Sequence, residues 1–178
     1  MHLKPLDLLV AIQLAIAEQP PSGYEELGKA VGLSASEAHK AVRRGVAAGL
    51  LRIGANRADK PSANTQTLLS FLKHGAPHAF FATPGRVVRG VPTAHSAAPL
   101  NQLVQSDGDL PFVWPAPEGT TRGRAIEPLY RTVPSLVATN PKLCEALALV
   151  DALRCGRARE RDLAYQELEK RLHDAEPD

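Results

Sequence analysis

Apolar residues recur with the period of an α-helix in the first two segments of the chain. Pro5 suits a first helical position, and apolar residues follow from Leu6 to Ile16 until Pro20-Pro21 stops the segment. A second, shorter segment runs over residues 22–31, and Gly32 ends it. The pattern predicts two helices that are joined by a proline-containing connection.

A third predicted helix has the clearest boundaries in the sequence. Ser34 is a favourable N-cap, and Glu37 stands three residues later, where its carboxylate can reach back to the Ser34 amide in a capping box. Gly49 marks the C-terminal end of this helix over residues 34–48. The following "LLRI" predicts a strand, and "GANRADKPSAN" predicts a loop without a clear returning strand.

The rest of the chain divides into a proline-rich middle and a helical end. A short helix is expected in "NTQTLLSFLKH", and nine prolines then break regular structure between residues 77 and 134, where "PFVWP" and "RGRAIEPLY" are expected to pair across "APEGTT". Apolar periodicity returns over residues 140–172 with a break at Gly156, which predicts a helical hairpin. The fold class expected is mainly α (α+β).

The third helix has two chemically different faces. On a helical wheel of about 100° per residue, one face carries only small apolar side chains or glycine and can pack closely on other helices: Ala38, Ala41, Val42, Gly45 and Gly49. The opposite face carries hydrogen-bonding and cationic groups: Ser36, His39, Lys40 and Arg43. A helix that binds in a major groove requires short polar groups near its N-terminus to contact base edges, followed by longer cations that reach phosphates. The amides of Ser34 and Ser36 at the helix N-terminus are expected to be able to receive a phosphate.

The stretch "GYEELGKAVGLSASEAHKAVRRGVAAGLLR" resembles the helix–turn–helix of MarR-like and related winged-helix regulators. The resemblance covers residues 5–57 and implies a winged helix–turn–helix in which the third helix contacts DNA. It further implies that five residues of the third helix face the bases: Ser34, Ser36, His39, Lys40 and Arg43. By the same resemblance, Arg44 contacts the DNA flank, and Arg57 and Lys60 make the wing contacts.

Charge and composition add little to this picture. The net charge of +2 is too small to indicate nucleic-acid binding, and the positive excess lies outside residues 141–178, which carry seven basic and nine acidic side chains.

Cys144 and Cys155 lack metal-ligand spacing and are expected to be ordinary small side chains. His74 and His78 are separated by a helix-breaking proline, so no metal site is expected. Neither a cofactor, an enzymatic activity nor a membrane association is expected, and the chain is expected to be cytoplasmic.

Two functions remain open from the sequence. The first is a dimeric repressor that binds double-stranded DNA, with residues 1–60 as the DNA-binding domain and residues 61–178 as a second unit. In that hypothesis residues 140–172 form the homodimer contact. The alternative is a protein-interaction module, such as an antitoxin, that docks a partner protein through the proline-rich middle, with DNA binding either autoregulatory or absent.

Overall fold

The computed structural model describes residues 2–54, 59–104 and 108–174. This part of the chain is α+β, 54% helical, with eight α-helices and two small sheets. The elements are α1 (Pro5–Ile16), α2 (Tyr24–Val31), α3 (Ala35–Ala47), β1 (Leu51–Arg52), β2 (Ser62–Ala63), α4 (Thr65–His74), α5 (Ala76–Ala79), β3 (Val87–Pro92), α6 (Leu100–Leu103), β4 (Phe112–Pro115), β5 (Thr121–Ala125), α7 (Pro141–Cys155) and α8 (Ala158–Asp174). Short 3₁₀ turns lie at Ala94–Ser96 and Val133–Leu136. None of the helices described combines the length and apolar character needed to cross a membrane.

The three N-terminal helices begin and end close to the positions that their capping residues predict. Gly32 follows α2 in the left-handed conformation with φ of 70°, and the Leu33 amide donates to the Gly28 carbonyl at 2.8 Å. Gly49 follows α3 in the same conformation, with φ of 75°. The Leu50 amide donates to the carbonyl of Gly45 at 3.0 Å. Both ends are Schellman-type caps, which need a residue that tolerates positive φ.

A two-stranded hairpin follows α3. Leu51 of β1 pairs with Ala63 of β2, and Arg52 pairs with Ser62, in antiparallel register. The returning strand, for which the sequence shows no clear signal, is therefore present but only two residues long. Its connection includes residues 55–58, which lie outside the described residues.

The second sheet contains β3, β4 and β5, and each strand pairs with the other two. "PFVWP" and "RGRAIEPLY" do pair, but the expected pairing across the turn "APEGTT" is wrong, because β4 and β5 run parallel and both are antiparallel to β3. Pro115 and Thr121 pair with the same residue, Gly90, from its two sides. The connection between them crosses Gly90, since a Cβ on Gly119 would lie 2.4 Å from the Gly90 Cα. A crossing of this kind produces parallel neighbours instead of a hairpin.

Helix α7 lies at the centre of the molecule. Asn140 caps it, accepting a hydrogen bond of 3.3 Å from the Leu143 amide, and ten of its side chains are buried. It packs against α1, α5 and α8, and one hydrophobic cluster extends from Leu8 to Leu172. Residues from both sides of position 60 therefore contribute to one core.

Helices α7 and α8 pack side by side after the break at Gly156. Arg171 near the end of α8 donates to Glu145 near the start of α7 at 2.8 Å, as in an antiparallel pair. The apolar stripe of α7, which the sequence analysis assigned to a dimer contact, is covered within the chain. The homodimer stays a prediction, but the buried stripe of α7 is not available for its contact.

A buried carboxylate connects the second sheet to α7. Asp151 accepts hydrogen bonds from the hydroxyl of Thr93 at 2.8 Å and from the indole of Trp114 at 2.6 Å. Arg154, one turn further along α7, donates to the same carboxylate at 2.6 Å and to the carbonyl of Phe80 at 2.6 Å. These bonds satisfy a charge that would be costly to bury unpaired.

Candidate nucleic-acid interface

Helix α3 presents the two faces that its sequence predicts. Ala38, Ala41 and Val42 are completely buried where the helix packs on α1 and α2. The polar face is exposed along its length and carries Ser36, His39, Lys40 and Arg43. Since the small inner side chains allow close packing, the helix is held firmly while its outer face stays open to solvent.

The N-terminus of α3 is closed by the predicted capping box. The Glu37 amide donates to the Ser34 hydroxyl at 3.2 Å, while the Ser34 amide and hydroxyl donate to the Glu37 carboxylate at 3.0 and 2.7 Å. These hydrogen bonds from Ser34 lower the pKa of Glu37. Ser34 is exposed, but its amide already serves the carboxylate, so the phosphate contact expected for that amide has a competitor within the chain.

His39 has a defined orientation on the polar face. Its ring meets the edge of Tyr24 from α2, with the ring centroids 4.8 Å apart and the planes at 63°. Lys40 and Arg43 are exposed, and neither forms an ion pair with any residue in the described part of the chain. Two cations on this face are therefore open to an external anion.

Arg44, next to Arg43 in sequence, has a different environment. Its guanidinium donates to both oxygens of Asp7, with distances of 2.6 to 3.0 Å, and the Asp7 side chain is completely buried. This hydrogen bonding to Asp7 raises the pKa of Arg44 further. The sequence placed Arg44 at the DNA flank; in the structure it joins α3 to the first turn of α1, where Asp7 also accepts from the Lys4 amide at 2.8 Å.

Of the two predicted wing residues, Arg57 lies outside the described residues. Lys60 is exposed and its ammonium group donates to the Pro20 carbonyl at 3.4 Å, beside the connection between α1 and α2. Arg52 in β1 was not predicted as a site residue. It is exposed, and its orientation is set by a 2.8 Å hydrogen bond to the Asn64 side chain.

A further cation reaches α3 from the second half of the chain. Arg131 is exposed. The hydrogen bonds from Ser34 are the main cause of the lowered pKa of Glu37, and the positive charge of Arg131 lowers this pKa further. Its neighbour Thr132 donates to the Val31 carbonyl at 3.0 Å, which fixes this loop on the end of α2. No local pattern in the sequence indicates this contact, because its two partners are 101 residues apart in the chain.

Within the described residues, no three His, Cys, Asp or Glu side chains come together in a way that could hold a metal ion. Comparisons of the chain with family models, with curated proteins and with solved structures gave no match.

Proposed function

We propose that the chain is a sequence-specific DNA-binding transcriptional regulator that contacts the major groove with α3. The observation that carries this proposal is the exposed face of α3 with His39, Lys40 and Arg43. The two cations of this face have no ion-pair partner among the described residues, and the helix itself has defined caps and a close-packed inner face. A rigid helix with unpaired donors on one side suits recognition of base edges, because little ordering entropy is lost on binding.

The parts around α3 suit a winged helix–turn–helix. In this arrangement α2 crosses the DNA backbone, and the hairpin of β1 and β2 serves as the wing. Ser36 and His39, near the start of α3, approach base edges, and Lys40 and Arg43 reach guanine or phosphate. Arg44 instead holds α3 against α1 through Asp7.

The proposal includes a homodimer that acts as a repressor. A single recognition helix buries too little surface for useful specificity, and two half-sites one helical turn, about 34 Å, apart solve this problem. The buried apolar stripe of α7 is not available for that contact, so the dimer uses another surface of the chain.

Fluorescence anisotropy tests the proposal. Purified protein is titrated into labelled duplexes from the DNA upstream of its own gene, and into scrambled duplexes of equal composition, at several salt concentrations. Selective, salt-dependent binding is expected, and Arg43→Ala and Lys40→Ala should each reduce selectivity, by about tenfold where the side chain contacts a base. Arg161→Ala, which removes one exposed charge from α8, is the matched control. Equal binding to both duplexes, or no effect of either α3 variant, would contradict the role of α3.

A second candidate function has its own supporting observation. Four large hydrophobic side chains from the middle of the chain are exposed by 42 to 71%: Phe81, Val87, Leu103 and Leu110. We propose these side chains as the contact points of the protein-interaction module, with a partner protein docked on the proline-rich segment. Co-expression with the product of the neighbouring gene tests this function. A stable complex that Phe81→Ser disrupts supports it, whereas a homodimer that does not bind the second protein counts against it.

A further inference from the structure

The second sheet carries like charges directly opposite each other. Arg89 of β3 and Arg122 of β5 are antiparallel partners in the sheet register, so their side chains leave the sheet on the same face. Arg124 lies two residues beyond Arg122 and shares this face. All three side chains are exposed. We call Arg89, Arg122 and Arg124 the arginine face.

This arrangement carries a like-charge repulsion that a bound anion would relieve. Like charges directly opposite on neighbouring strands destabilise a sheet, and no ion pair to a carboxylate involves Arg89 or Arg122 in the described ranges. Arg124 donates to the Pro84 carbonyl at 3.0 Å, which orients the side chain. On the opposite face of the same strands, Gly90 and Gly123 are buried.

The chemistry and spacing of the arginine face fit phosphates. Guanidinium groups bind phosphate oxygens in a two-point geometry that lysine does not match. Residues two apart on a strand are separated by about 6.7 Å, a spacing similar to that of neighbouring phosphates along a nucleic-acid strand. Directly paired residues are nearer still, at about 5 Å between Cβ atoms. A row of phosphates can therefore neutralise all three charges together.

We propose that the arginine face is a second, sequence-independent contact to the phosphate backbone of the DNA that α3 recognises. The proposal rests on the function proposed above. It is consistent with the path of the chain, because Ala125 at the end of β5 is seven residues from Thr132, which contacts the end of α2. Seven residues span at most about 25 Å, which is less than one turn of a duplex at about 34 Å.

The test compares two double variants that remove the same charge from different places. Arg89→Gln with Arg122→Gln alters the arginine face, and Arg159→Gln with Arg161→Gln removes two exposed arginines from α8. Each protein is titrated by anisotropy into a labelled duplex of about 30 base pairs, in selected and scrambled versions, over a series of salt concentrations. Arg43→Ala is measured beside them.

The arginine-face variant should weaken binding to both duplexes by the same factor. The slope of log affinity against log salt concentration should become less steep by about 1 to 2, because the protein no longer neutralises one or two phosphates. The α8 variant should keep the wild-type slope. Replacement of Arg89 and Arg122 by lysine should restore most of the slope, because the charge returns. Thermal unfolding should show the glutamine variant at least as stable as the wild type, since a like-charge repulsion is removed.

The failures of the two proposals are distinguishable. An unchanged slope in the arginine-face variant, with selective binding by the wild type, overturns this inference and leaves the α3 function standing. Non-selective wild-type binding with a silent Arg43→Ala overturns the α3 function, even where the slope still falls in the arginine-face variant. Absence of wild-type binding to DNA, or an equal loss of slope in the α8 variant, overturns the arginine face as a DNA contact. An effect seen only with a single-stranded RNA probe also overturns it.

Discussion

Arg44 and Asp7 form a two-point ion pair that joins α3 to the first turn of α1. The Asp7 carboxylate is fully buried, and the Arg44 side chain is 16% exposed. Arg43, one residue earlier, points to solvent. Two adjacent arginines of α3 therefore have separate tasks, one in holding the helix and one in the proposed contact to DNA.

Substitution of these two arginines should separate stability from binding. Arg44→Ala leaves a buried carboxylate without its counter-charge, which typically costs about 3–5 kcal/mol. Arg43→Ala should leave the free energy of unfolding within about 0.5 kcal/mol of the wild type. Chemical denaturation followed by circular dichroism measures both. Equal stability of the two variants would show that the pair with Asp7 contributes nothing to the fold.

The turn between α2 and α3 should depend on the absence of a side chain at Gly28. Alanine is normally favoured over glycine inside a helix by about 0.5–1 kcal/mol, but a Cβ here would lie 2.6 Å from the Leu33 carbonyl oxygen. Gly28→Ala should therefore lower the melting temperature. Gly23→Ala is the control, because Gly23 is extended and a Cβ there meets nothing within 4 Å. A rise in melting temperature for Gly28→Ala would contradict the close approach of the Leu33 carbonyl to Gly28.

Local signals in the sequence identify most of the helical boundaries and the orientation of α3. The caps at Ser34 and Gly49 both occur where the sequence predicts them, because capping depends on residues within one turn. The exposed polar face of α3 likewise follows from helical periodicity.

Long-range contacts were beyond such signals. The parallel pairing of β4 with β5 depends on the chain crossing Gly90, and the pairing of Arg89 with Arg122 depends on that same sheet. Arg44 lies near the boundary between the two faces of α3, so only the position of Asp7 on another helix decides its role. The sequence shows the residue types but not these pairings.

The capping box of α3 should make stability sensitive to acid. Hydrogen bonds from Ser34 lower the pKa of Glu37 in the folded protein. A lowered folded pKa means that the contribution is present above the pKa of an unfolded glutamate, about 4.3, and is lost as the pH falls through the lower folded value. Ser34→Ala should lower the melting temperature by about 2–4 °C at neutral pH, with a smaller difference at pH 3. A difference that does not depend on pH would contradict the role of the Glu37 carboxylate.

Both cysteine thiols should be unreactive in the folded protein. Burial raises the pKa of Cys144 to about 11 and that of Cys155 to about 12. Since the thiolate is the reactive form, a disulfide reagent such as DTNB at pH 7.5 should modify neither thiol on the time scale of minutes, whereas the denatured chain should release two equivalents. The Cys144→Ser and Cys155→Ser variants, each titrated after denaturation, assign one equivalent to each position. Rapid modification of one thiol in the native protein, with the Trp114 fluorescence unchanged, would show that this cysteine is not enclosed by α7 and its neighbours.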